Sequence, residues 1–117
     1  MDFSEAIAAH SQWRIRLQGT IAGTNKEFLD PKVVGVDDRC ALGQWIHGEA
    51  KQYSGVPEYG KLVQEHKAFH ASAAKVIEMV AAGKLEEAKT CVDKGEFFDA
   101  SLRTINAIRH LRTKVAP

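Results

Sequence analysis

His66 and His70 stand four residues apart in the segment E-H-K-A-F-H. On a helix this spacing puts two imidazoles on one face about a turn apart, within reach of a single metal ion. Taken alone, such a pair is a common chance arrangement. Its surroundings add weight, because Leu62, Ala73, Ile77 and Val80 mark an apolar stripe on which both histidines fall. An imidazole buried there without a partner costs about 1–3 kcal/mol, and a shared cation removes that cost. Two more residues join the candidate set. His10 lies between Ile7 and Trp13 on the apolar face of an earlier helix. Cys40 falls in the first turn of a short helix if Asp37 caps it, where free backbone N–H groups and the adjacent Arg39 favour a thiolate. Three ring nitrogens and one thiolate form a tetrahedral set suited to zinc, with copper and nickel as chemical competitors. Protein atoms fill all four positions, whereas catalytic zinc keeps one open for water. The pattern therefore points to a binding site, not to an enzyme, and no residue is assigned a catalytic role.

The elements that must position these side chains read as helices. Apolar residues recur at steps of three and four, and prolines occur only at positions 31, 57 and 117, so strands have little support. The first helix opens on Asp2 and Glu5 at capping-box spacing, carries Phe3, Ile7, His10, Trp13, Leu17 and Ile21 on one face, and ends near Gly23. Residues 24–36 form an irregular connection. Asp37 or Asp38 then caps a short helix carrying Cys40, Leu42, Trp45 and Ile46, stopped by Gly48. Pro57 is well placed in the first turn of a long helix running to Ala82. A shorter helix spans about Lys84 to Asp93, and after Lys94-Gly95 a last helix buries Phe98, Leu102, Ile105, Ile108 and Leu111. The expected fold class is all-α: an antiparallel four-helix bundle with an additional short helix carrying the cysteine, formed by residues 1–117 as a single domain.

Composition narrows the function classes. The 117 residues carry 16 basic and 15 acidic side chains for a formal charge of +1. With no basic block there is no electrostatic footprint for nucleic acid or an anionic membrane. No apolar run approaches the roughly 20 residues needed to cross a bilayer, and the opening segment is too soon polar for a signal peptide. Two cysteines are too few for a disulfide framework. On these features the chain is expected to be cytoplasmic. With 44% hydrophobic residues the core can form without metal, so a metal can regulate instead of merely enabling folding.

The segments A-H-S-Q-W-R from Ala9, R-C-A-L-G-Q-W-I from Arg39 and E-H-K-A-F-H from Glu65 resemble the chemoreceptor zinc-binding domain family, or CZB. That family shows H-x-x-aromatic, then C-x-apolar-G-x-apolar or aromatic, then H-x-x-x-H, and every element is present in order. The resemblance implies that His10, Cys40, His66 and His70 are zinc ligands, with Trp13, Leu42, Gly43 and Trp45 at packing positions. It also implies a sensory or regulatory role in bacterial signal transduction, since such domains are usually fused to chemotaxis receptors or diguanylate cyclases. There they sense zinc or oxidants such as hypochlorous acid, and many are homodimers. After Arg112 there is no cyclase sequence or long coiled coil, so the chain reads as either a stand-alone member with a separate partner or an excised domain.

The competing readings are a di-iron carboxylate enzyme and a purely structural zinc in a dimerisation or scaffold module. The first needs Glu-x-x-His pairs, which this sequence lacks; the second remains open. Cys91 reads as a small buried hydrophobe, His47 and His110 as residues near helix C-termini, Glu5 as a solvated first-turn charge, and Arg103, Arg109 and Arg112 as a solvated face.

Overall fold

The computed structural model describes residues 3–23 and 41–115. Among these residues all regular structure is helical: α1 (Phe3–Ala22), α2 (Ala41–His47), a 3-10 helix (Glu49–Tyr53), α3 (Pro57–Ala81), α4 (Leu85–Lys94) and α5 (Glu96–Val115). The all-α class is as expected. No described helix is long and apolar enough to cross a membrane.

The helix ends follow from their residues. Val56 is extended and Pro57 occupies the first turn of α3, where its fixed φ and missing N–H cost nothing. At the other end Gly83 takes φ +79°. Its N–H donates to the Val80 carbonyl and that of Lys84 to the Met79 carbonyl, the paired bonds of a Schellman stop. Between α4 and α5 the chain passes so close to itself that a Cβ on Gly95 would lie 2.9 Å from the Cα of Cys91. Only glycine fits there without a backbone shift.

Two hydrophobic clusters make the core. One gathers Trp13 and Leu17 of α1, Phe69 to Ile77 of α3, Ala88 and Val92 of α4, and Phe97 and Ala100 of α5. The other gathers Ala6 of α1, Leu42, Trp45 and Ile46 of α2, Ala50, Leu62 of α3, and Ala107, Ile108 and Leu111 of α5. Along α1 and α3 the chain passes from the second cluster to the first, and along α5 it returns. On each of these helices a buried polar residue falls between the two: His10, His66 and Thr104. A polar layer thus separates two apolar ones, and it is here that the candidate ligands lie.

The last helix departs from expectation. Phe97, Ala100, Thr104, Ala107, Ile108 and Leu111 are its buried residues, whereas Leu102 is 45% exposed and Phe98 and Ile105 are half-buried. Small residues at 100, 104 and 107 let α5 lie close to α3, its most extensively packed neighbour. Phe97, Ile108 and Leu111 supply the bulk of this face, the last two as expected. Arg103 is not merely solvated either. Its Nε donates to Glu65 across 2.8 Å, and its guanidinium also lies 3.5 Å from Glu96.

Candidate metal centre

α3 presents His66 and His70 one turn apart on its inner face, each only 1% exposed. Their Nε2 atoms are 3.0 Å apart. Two nitrogens on one tetrahedral zinc, each about 2.0–2.1 Å from it, stand roughly 3.3 Å apart, so the pair is already close to the separation that a shared ion imposes. Below them Phe69 packs against all three candidate rings, with centroids 4.1 Å from His10, 6.3 Å from His66 and 5.2 Å from His70. The edge of Trp13 meets the His70 ring at 5.4 Å, and the Arg16 guanidinium covers the Trp13 ring at 4.0 Å. These aromatic groups close the layer to water, which is the packing role expected for Trp13.

His10 enters the same layer from α1 and is also 1% exposed. Its Nε2 lies 3.0 Å from the Ser101 hydroxyl on α5, and among the described residues its Nδ1 has no hydrogen-bond partner. Burial, then the proximity of His70, lowers the His10 pKa to about 4. Burial, again joined by His70, lowers that of His66 to about 2. Both rings are therefore neutral at pH 7, and the neutral imidazole is the form that binds metal.

The described part of the expected set is brought together only in part. His66 and His70 converge, and His10 shares their layer, but among the described residues no three metal-binding side chains are close enough to hold an ion. Cys40 lies outside the described residues, as does the expected capping of its helix by Asp37 or Asp38. The next residue in sequence, Ala41, opens α2. That helix is held by burial of Leu42, Trp45 and Ile46, and the Tyr59 hydroxyl donates to the Ile46 carbonyl at 2.8 Å. Trp45 packs its ring against Phe3 at 5.3 Å. The described histidines are chemically suited to zinc on two observations: the Nε2 pair at near-ligand separation, and a buried, neutral third imidazole with an orphaned nitrogen.

Two supporting contacts were not visible as motifs. The Thr104 hydroxyl bonds the carbonyls of Ala100 and Glu65, so it ties α5 to α3 one residue from His66. Burial pushes the Glu65 carboxyl up, but hydrogen bonds from Lys61 and Arg103 more than offset this and hold it below its usual range.

The family model of the chemoreceptor zinc-binding domain matches residues 10–77, more than half of the chain. The chain belongs to this family. No curated protein and no solved structure matches it. Membership makes this CZB chain a zinc-binding domain of signal transduction, sensory or regulatory in kind and not catalytic. The match begins on His10 and includes Cys40, His66 and His70.

Proposed function

We propose that this CZB domain binds one zinc ion through His10, Cys40, His66 and His70 and reports zinc availability, or oxidation of Cys40, to a bacterial signalling partner. The observation that carries the reading is the buried Nε2 pair of His66 and His70 at 3.0 Å. Bound zinc would act as a tetrahedral clamp without redox chemistry of its own. The residues of the chain supply the rest. His66 and His70 are fixed on a long, well-buried helix, whereas Cys40 precedes the seven-residue α2. The sulfur ligand thus directly precedes, in sequence, the shortest α-helix, and its release would free that helix first. A two-electron oxidant that converts the Cys40 thiolate to a sulfenic acid weakens the same ligand. Zinc loss and oxidation therefore share one moving part.

The whole chain acts as one domain in this reading. The fold is read as an antiparallel four-helix bundle of α1, α3, α4 and α5 with α2 as the added short helix; in its support, α5 runs between the two clusters in the sense opposite to α1 and α3. It works in the cytoplasm as a homodimer beside a chemotaxis receptor, a diguanylate cyclase or a comparable signalling protein, as family membership supports.

Elemental analysis of the purified chain beside Cys40→Ser tests the ligand set. One zinc per wild-type chain and loosened binding in the variant are expected; equal retention by both removes Cys40 from the site. Hydrogen exchange on zinc-loaded and zinc-free protein tests the switch. Equal protection across residues 39–48 in both forms would leave nothing to transmit.

A further inference from the structure

His10 poses a choice between its two nitrogens. One, Nε2, is 3.0 Å from the Ser101 hydroxyl; the other, Nδ1, is buried with no hydrogen-bond partner among the described residues. If the ring hydrogen sat on Nδ1, a buried donor would be left without an acceptor, which native interiors avoid. With the hydrogen on Nε2, the serine oxygen accepts it and the unsatisfied atom is a lone pair on Nδ1. A lone pair left over in a layer that already holds two metal-binding nitrogens has an obvious use. Metal-bound imidazoles almost always donate their other N–H to a nearby oxygen, which fixes tautomer and ring orientation.

We propose that Ser101 is a positioning residue for the zinc site: its hydroxyl accepts the Nε2 hydrogen of His10 and so presents Nδ1 as the metal-binding nitrogen. The proposal rests on the zinc site described above and adds a residue and an atom to it. Ser101 lies on α5, beyond residue 77 where the family match ends, so the last helix takes part in the site as well as in the core. His10 then differs in kind from the α3 pair, which faces one another through Nε2.

Three full-length proteins test this: wild type, Ser101→Ala and Ser101→Thr. Ser101 borders a partly open pocket of about 160 Å³, and threonine at this position keeps the hydroxyl. Zinc affinity is measured by competition with a chromophoric chelator, and folding by circular dichroism. Ser101→Ala should bind zinc about 10–100-fold more weakly with its helical signal unchanged, and Ser101→Thr should recover most of the loss. Long-range proton–nitrogen NMR of the zinc-loaded wild type reads the tautomer without any variant, and should show His10 protonated on Nε2 and metal-bound on Nδ1. A His10 ring protonated on Nδ1, or wild-type affinity in Ser101→Ala, overturns the role of Ser101 while leaving the zinc site intact. A wild-type chain that takes up no zinc overturns the site and this role together.

Discussion

The rings of His66 and His70 stand nearly perpendicular, at 84°, with centroids 4.5 Å apart and their Nε2 atoms turned toward each other. Two neutral rings in this pose share one hydrogen at most, so the contact is a modest bond in the metal-free protein and a ready bidentate clamp for an ion.

Replacing either ring removes the clamp. In His70→Ala, zinc affinity should fall by more than the roughly 100-fold typical of losing an outer partner of a ligand, while α3 keeps its helical signal because its stripe from Leu62 to Ile77 stays buried. Titration of zinc into both proteins, followed by calorimetry, checks this. Unchanged affinity would mean that the pair is only a polar contact in the core.

Acid should destabilise the metal-free chain. The unfolded His10 takes up a proton near pH 6.5, whereas the folded one does so only at about 4. Stability held above pH 6.5 is therefore lost as pH falls from about 6.5 to about 4, by about 3 kcal/mol for this residue alone. His66 acts in the same direction and over a window reaching lower. Urea midpoints measured in chelator at pH 7.5, 6 and 5 should decline in that order, and less steeply in His10→Gln. A flat profile between pH 7 and 5 would contradict the neutral, buried state of these rings.

Phe69 is the structural floor of the site. It is fully buried and meets Phe97 at 5.0 Å as well as the three imidazoles. Phe69→Ala should cost about 3–5 kcal/mol in the zinc-free protein, read by chemical denaturation. Phe69→Leu should cost less and still bind zinc. Equal stability of the alanine variant would show that the two clusters do not depend on this contact.

Much of this was legible in the sequence, for reasons that differ from residue to residue. Pro57 and Gly83 act through local backbone rules, and α3 begins and ends as they require. The histidine pair was readable because a four-residue step is a contact in any helix. On α5 Ile108 and Leu111 were read correctly as buried, whereas Phe98, Leu102 and Ile105 were assigned to a face that Phe97, Ala100, Thr104 and Ala107 occupy instead. Large apolar side chains stand on both faces, so spacing along α5 alone does not choose between them; the helices packed against it do. Ser101 had no signal at all: a serine 91 positions from His10 becomes its neighbour only through folding.

The two apolar clusters also bear on how the protein should be cut for study. Ala88, Val92, Phe97 and Ala100 belong to one cluster and Ala107, Ile108 and Leu111 to the other, and all lie downstream of the recognised signature. A fragment trimmed at residue 77 would retain every proposed ligand yet strip both cores of a wall and His10 of its serine. Failure of such a fragment to hold metal would report the truncation, not the chemistry.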